Sequence, residues 1–288
     1  MILEGKTLAA QLREPLLQRA QRVQERLGRA LSLFAVGSSD DYAAYVYLKK
    51  EVAAAEKLGV RCQIQPISNH TSAEEFLTLL RKASADPQTD AILIARPLPE
   101  HLANSGFEHF IAAEKDIDGM SDVSMGKLFL CKTWEDVESL KTFIPCTALA
   151  VMRLLEHHRI NPQGLEAAVI GRSPNVGRPL AHLLTCKNAT TKICHTYTQD
   201  LAFSLQNTRL ICSAAGQAGL LTRVNVPAGA IIIDIATNLG PDGNLCGDAQ
   251  TQDLLEKGCK ISPVPGGVGP VTLACLLENI ILSGERKI

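Results

Sequence analysis

The 288 residues are 46 % hydrophobic and 20 % charged, and 29 Lys+Arg against 30 Asp+Glu give a formal net charge of −1. That apolar content fills more than one core, so two domains are expected, and the near-neutral balance makes no field for nucleic acid or an anionic membrane, which leaves a small molecule as the expected partner. The charged N-terminal segment lacks the apolar run of a signal peptide, no uncharged apolar stretch of bilayer length is read, and nine cysteines without a C-x-x-C pair point to reduced thiols in the cytoplasm, with no disulfide and no metal.

From the N-terminus the predicted elements alternate in kind. Helical spacing covers 6–27, "ALSLFAVG" reads as a strand at 30–37, and "YAAYVYLKKEVAAAEKLG" as a helix over 42–58 closed by Gly59. "RCQIQPI" reads as a strand, 72–84 as a helix and "DAILIARPLP" as a third strand. The rhythm predicts a parallel sheet covered by helices. "KDIDGMSDVSMGKLFLCKTWEDVESLKTFIPC" keeps no sustained period and marks a domain boundary. A second series follows: helix "ALAVMRLLEHH", strand "LEAAVIG", a helix over 176–185, then strands "TTKICHT", "TRLICSAAG" and "GAIIIDIATN". "ISPVPGGVGPVTLACLLENIILSG" closes the chain as a stiff loop feeding a helix.

"AAVIGRSPNVGRPLAHLL" puts an apolar strand before Gly171 and a helix after Gly177, the arrangement in which helix N-terminal amides hold a pyrophosphate. The spacing is one residue longer than G-x-G-x-x-G and has Ser173 at the middle glycine, so position in a strand–turn–helix carries the reading more than the letters do. A merely structural turn is the alternative. The next strand ends in His195, Thr196 and Tyr197, where an NAD enzyme usually presents an acid to the ribose. With Arg172 available to a 2′-phosphate, NADP is favoured over NAD.

Taken together and in this order, "YVYLK", "KDIDG", "IPCT", "VIGRSPNVGRP", "SAAGQAGLLT" and "ISPVPGGVGPVT" closely resemble the bacterial FolD family of bifunctional methylenetetrahydrofolate dehydrogenases/methenyltetrahydrofolate cyclohydrolases, from about residue 2 to the C-terminal helix. The resemblance implies a cytosolic homodimer of two α/β domains. Residues 1–142 would form the folate-binding catalytic domain, with the helix 270–288 packing back on it, and 143–269 a Rossmann-type NAD(P) domain, with folate in a cleft between them. The first reaction removes hydride from the bridge of 5,10-methylenetetrahydrofolate; the second hydrolyses the methenyl cation to 10-formyltetrahydrofolate, a step of one-carbon metabolism and purine biosynthesis.

On this resemblance Tyr45 packs on the substrate's ring system and Lys49, four residues on and so on the same helical face, is the catalytic cation or base. A lysine amine takes up a proton only in its neutral form, which cleft burial or a nearby positive charge, including that of the substrate, would favour. Read alone, Lys49 and Lys50 are a solvated face and the tyrosines half-buried packing. Asp118 is matched to the carboxylate that hydrogen-bonds the pterin, with Asp116 structural. Pro265, Gly266 and Gly267, in the run from Pro263 to Pro270, lie along the folate. NADP, with NAD possible, is matched to Gly171, Arg172, Ser173, Val176, Gly177, His195, Thr196, Ala215, Thr237 and Gly269.

Several positions depart from the family pattern. Ala95, followed by Arg96, stands where the family has a glutamine that contacts the catalytic lysine; Tyr42 replaces a serine; Ala148 and Ala150 replace a proline and a glycine after Thr147; Ala236 replaces a glycine. Ala95 puts the hydrolytic activity in question, while hydride transfer needs chiefly oriented approach. Besides the bifunctional enzyme, a dehydrogenase with weak or no cyclohydrolase activity and a silent folate- or nucleotide-binding paralogue therefore stand as alternatives. His157 and His158 read as a helix end, Cys146 as packing, and Trp134 as filling a domain or dimer contact.

Overall fold

The computed structural model describes residues 1–240 and 243–288. In chain order the elements are α1 (Lys6–Leu27), β1 (Ser32–Ser38), α2 (Tyr42–Glu56), β2 (Arg61–Ile67), α3 (Ala73–Ala85), β3 (Ala91–Ile94), α4 (Glu100–Ala103), a 3-10 turn (Phe107–Phe110), α5 (Asp122–Leu130), α6 (Trp134–Glu138) and α7 (Cys146–His157). There follow β4 (Glu166–Ile170), α8 (Gly177–Cys186), β5 (Thr190–Cys194), α9 (Leu201–Leu205), β6 (Leu210–Ser213), β7 (Ile231–Asp234), β8 (Asn238–Leu239), β9 (Leu245–Cys246), α10 (Thr251–Glu256), β10 (Lys260–Ile261) and α11 (Val268–Glu285).

The chain divides into two units. One holds Leu12–Lys127, Lys141–Ile144 and Leu276–Ile288; the other holds Met1–Gln11, Leu128–Leu140 and Pro145–Cys275. This division differs in detail from domains of 1–142 and 143–269. The first residues go with the second series because Leu3 N donates to Ile261 O at 2.8 Å and Ile2 bridges Ile261 in parallel, lengthening the edge of that sheet.

In the first unit the sheet order is β2-β1-β3, all parallel, in the register Leu33 with Cys62 and Ala91. α2 lies against β1 and β2. Asp41 caps α2, accepting from Ala44 N at 2.9 Å, and Ser72 with Glu75 forms a capping box on α3. Phe34, Val36, Phe76, Leu80, Leu102 and Phe107 meet in one buried cluster, and the Phe76 and Phe107 rings stand 5.7 Å apart at 55°. Truncating such a ring costs about 3–5 kcal/mol. β3 ends at Ile94, short of the expected "ARPLP", because the prolines there donate nothing to a ladder.

The second unit carries a parallel sheet ordered β10-β7-β6-β4-β5. Its core joins Ala168, Ile170, Ile211, Leu221, Ile232 and Leu254. Chain order reverses at β4, which has β5 on one side and β6 on the other, so the carboxyl ends of β4 and β6 flank the switch point where such sheets bind ligands.

Among the described residues one helix, α11, is long and apolar enough to cross a membrane, and 56 % of it is buried inside the protein. Leu276, Ile280 and Ile281 are buried, and at Gly284 a Cβ would stand 2.5 Å from Leu31 Cδ2.

Candidate active site

Residues of one face of α2 meet the end of β1 at a glycine. A Cβ on Gly37 would lie 2.6 Å from Leu48 Cδ2, 3.5 Å from Ala95 Cβ and 3.7 Å from a Tyr45 ring carbon, so the missing side chain lets helix, strand and Ala95 converge. Tyr45 is half-buried there. Lys49 is exposed, with Nζ 4.7 Å from the centroid of the Tyr45 ring, a cation–π geometry. Tyr42, on the first helical turn, is 82 % exposed. Ala95 offers Lys49 no hydrogen bond, and Arg96 turns elsewhere: its guanidinium lies 5.1 Å from the Phe107 ring, with Nη2 3.6 Å from Glu108 Oε1. The enclosed Nη2 makes no hydrogen bond.

Asp118 sits on a loop braced on several sides. Lys115 Nζ donates to Ser84 O at 2.6 Å and Asp86 O at 2.7 Å, and Asn279 Nδ2 donates to Ile117 O at 2.8 Å. The buried Asp116 carboxylate accepts from Met120 N at 2.9 Å and Ser121 N at 2.7 Å, which suits a structural role. Burial pushes the Asp116 pKa up and these hydrogen bonds oppose it. Burial likewise pushes that of Lys115 down. Asp118 is partly exposed and, with Ile94, Arg96, Phe107, Asp116 and Met120, lines a small pocket.

Sequence reasoning passed over Glu51. It lies on the apolar stripe of α2 with Leu48, Val52 and Ala55, and burial, with repulsion from Asp118 second, raises its pKa to about 8. An acid on an otherwise apolar helical stripe was the signal. At neutral pH this side chain is mostly a carboxylic acid, so it adds no second negative charge beside Asp118.

In the second unit β4 delivers the chain into the glycine turn. Gly171 has φ +119°, and a Cβ there would meet Ala214 O at 2.6 Å; at Gly177 one would meet Gly171 O at 2.2 Å. Neither position admits a side chain. Val176 is the residue preceding α8, and Ser173 Oγ accepts from Gly177 N at 3.3 Å. Beside the turn, at the end of β5, His195 N donates to Thr198 Oγ1 at 2.9 Å and its Nδ1 accepts from Tyr197 N at 3.2 Å; Thr196 is exposed. The Arg172 guanidinium lies 5.6 Å from the Tyr197 ring, which keeps a cation beside the strand end where a ribose phosphate would come. Ala215 and Thr237, both exposed, follow β6 and β7 at the same edge of the sheet.

The Pro-Gly run is tied to the N-terminus. Gly266 O accepts from Gly5 N at 2.9 Å, Gly267 N donates to Pro263 O at 2.8 Å, and at Gly267 a Cβ would stand 2.6 Å from Pro263 O. Pro265 is exposed, whereas Gly266 and Gly267 are buried. The run ends earlier than expected: α11 starts at Val268, which places Gly269 in its first turn, with open space at its Cβ position.

Other residues take ordinary roles. Thr147 is the second residue of α7, where Ala148 and Ala150 are fully buried, and Ala236 is 9 % exposed. His158 bonds Glu4 O at 3.0 Å through Nε2. Trp134 donates to Glu138 at 2.6 Å and carries Lys187 Nζ 4.1 Å over its ring, so it packs within its own unit. The nine cysteines form no disulfide, and burial pushes the Cys212 thiol up to about 12. Among the described residues no three His, Cys, Asp or Glu group to hold a metal ion.

Comparison with known proteins agrees with this geometry. Residues 3–118 match the family model for the tetrahydrofolate dehydrogenase/cyclohydrolase catalytic domain, and residues 145–288 the model for its NAD(P)-binding domain. The chain is 49 % identical over 288 residues to the bifunctional protein FolD of Elusimicrobium minutum, covering 100 % of both. The crystal structure of the bifunctional FolD methylenetetrahydrofolate dehydrogenase/cyclohydrolase from Campylobacter jejuni superposes with TM-score 0.92 at 33 % identity, over 100 % of this chain and 99 % of that one. The Trypanosoma brucei methylenetetrahydrofolate dehydrogenase-cyclohydrolase, solved with NADP cofactor and an inhibitor, gives TM-score 0.89 at 28 % identity, over 100 % and 98 %.

Proposed function

The chain belongs to the tetrahydrofolate dehydrogenase/cyclohydrolase family, and from that premise and its own side chains we propose the two reactions it performs. It oxidises 5,10-methylenetetrahydrofolate to the methenyl form with NADP, and hydrolyses the methenyl form to 10-formyltetrahydrofolate. The observation that carries this reading is the Lys49 ammonium held over the half-buried Tyr45 ring, next to Ala95. Its relatives are named as bifunctional, so neither a dehydrogenase without hydrolysis nor a silent paralogue is favoured.

In the first unit the Tyr45 ring supplies an apolar, electron-rich face for the pterin system, Asp118 accepts from pterin N–H donors, and Lys49, once it has given its own proton to solvent, takes the proton released as water adds to the methenyl carbon. The cation–π contact with Tyr45 orients the amine in place of the glutamine that Ala95 lacks. In the second unit Gly171 and Gly177 keep the turn free of side chains, so backbone amides and the start of α8 are open to a pyrophosphate. The residues present therefore fit a dinucleotide. NADP, when bound, accepts the hydride. Arg172, held beside Tyr197, would hold the 2′-phosphate.

The product is a one-carbon donor of the kind consumed in purine biosynthesis. A cytoplasmic enzyme is supported by nine cysteines outside any disulfide, and a net charge of −1 speaks against nucleic acid or membrane surface as a partner. A homodimer is supported by an open sheet edge: β5 is terminal in its sheet with Ile193 41 % exposed, and Phe129 and Leu130 of the same unit are 45 % and 80 % exposed.

Purified protein assayed separately with methylenetetrahydrofolate plus NADP and with methenyltetrahydrofolate alone tests the proposal. Both substrates should turn over; binding of NADP and a folate analogue with no turnover of either would overturn it.

A further inference from the structure

Asp248 precedes α10 and is fully buried, yet it is surrounded by donors from two other segments of the nucleotide unit. Its Oδ2 accepts from Ser213 Oγ at 2.6 Å and Ala215 N at 2.9 Å; its Oδ1 accepts from Gln217 N at 2.7 Å and Asn238 Nδ2 at 3.1 Å. Four donors use the whole acceptor capacity of one carboxylate. The groups it gathers are the end of β6, the loop 214–217 and the residue after Thr237. That loop abuts the glycine turn, since Ala214 N donates to Ile170 O at 2.8 Å and Ala214 O is the atom that excludes a side chain from Gly171.

A second carboxylate aims the first. Asp234, at the end of β7, accepts from Asp248 N at 3.1 Å and Ala249 N at 2.8 Å, while Asp234 N donates to Ser262 Oγ at 2.8 Å. Only a glycine at 247 permits this, because a Cβ there would stand 2.0 Å from Asp234 Oδ2. The order is therefore from Asp234 to the 247–249 backbone, and from the Asp248 side chain to the loops after β6 and β7. Burial pushes the Asp234 pKa up to about 6, so near neutral pH the brace is ionised.

We propose that Asp248 is a positioning residue for the dinucleotide: it acts through the Ala215 and Gln217 amides and Asn238 to hold the wall of the site that faces the glycine turn. The inference rests on the NADP reading above. In Asp248→Asn a donor NH2 replaces one of two fully used acceptor oxygens, so two of the four hydrogen bonds are lost in a buried place. The hydrolytic reaction needs no nucleotide and supplies an internal control.

The test measures the dissociation constant of NADP by direct titration, and methenyltetrahydrofolate hydrolysis without nucleotide, for wild type, Asp248→Asn and Ser213→Ala. The proposal expects Asp248→Asn to weaken NADP binding by on the order of tenfold to a hundredfold, with hydrolysis within about twofold of wild type. Wild-type NADP affinity in Asp248→Asn would overturn it. If Asp248→Asn does not fold, Ser213→Ala decides: weakened NADP binding with hydrolysis retained supports the proposal, and unchanged binding overturns it. Wild-type protein that fails to bind NADP would sink the cofactor reading instead.

Discussion

Tyr45 and Lys49 stand on the open side of one helix, joined to each other by a cation–π contact, whereas the dinucleotide turn is made of backbone. In the first unit one glycine, Gly37, admits α2 to the end of β1, and the chemistry is then left to side chains. In the second, Gly171, Gly177 and Gly247 bring main chain within contact distance of main chain or carboxylate, and buried acids tie the loops together. The difference teaches where each half tolerates change. A side-chain site is expected to tolerate replacement of a neighbour, such as Ala95 at the family's glutamine position, while a backbone site is expected to fail when one Cβ is added.

The largest effect that would sharpen this contrast is expected from Gly177→Ala. Its Cβ meets Gly171 O at 2.2 Å, so NADP affinity should fall by more than about a hundredfold, read by titration, while nucleotide-free hydrolysis persists. Arg172→Ala comes next: loss of a charge-assisted partner should lower the NADP-over-NAD ratio of kcat/KM roughly ten- to hundredfold, and an unchanged ratio would remove Arg172 from the phosphate. Tyr45→Ala should reduce hydrolytic kcat/KM by roughly tenfold, through lost stacking and a freed ammonium, with NADP affinity unaltered.

A different kind of effect is on stability, and it carries a definite sign. Glu51 has its pKa raised to about 8 from an ordinary 4.5, so folding favours its protonated form. The stability this contributes is complete below about pH 4.5, is lost as pH rises toward about 8, and changes no further above that. Glu51→Gln should therefore gain stability relative to wild type as pH rises through that window, measured as urea midpoints at about pH 5 and about pH 9. A difference that stays flat with pH would mean that Glu51 is ionised in the folded protein.

The alternation of strands and helices was legible because each apolar run was longer than its period needs, as in "ALSLFAVG" and "LEAAVIG". Elements shorter than that window were not: α9, α10, the β8–β9 hairpin and the two-residue β10 leave too few repeats. β6 was read through "SAAG" but stops at Ser213, since beyond Ala214 the Ala215 and Gln217 amides turn to Asp248 instead of a neighbouring strand. The Tyr45–Lys49 pair was visible as an i, i+4 spacing, though its chemistry came from the family resemblance. The attachment of residues 1–11 to β10 and the Pro-Gly run could not be read, because its hydrogen bonds join the two ends of the sequence. Asp248 gave no local signal for the same reason: its partners lie at the end of β6 and on the segments that follow β6 and β7.

The most direct measurement is hydrolysis of methenyltetrahydrofolate, without nucleotide, by wild type and Lys49→Met. Accelerated hydrolysis by wild type and a loss on the order of 10²- to 10⁴-fold in the variant, with NADP affinity intact, is the predicted result. Equal rates for the two proteins, or a wild-type rate no faster than buffer, would contradict it.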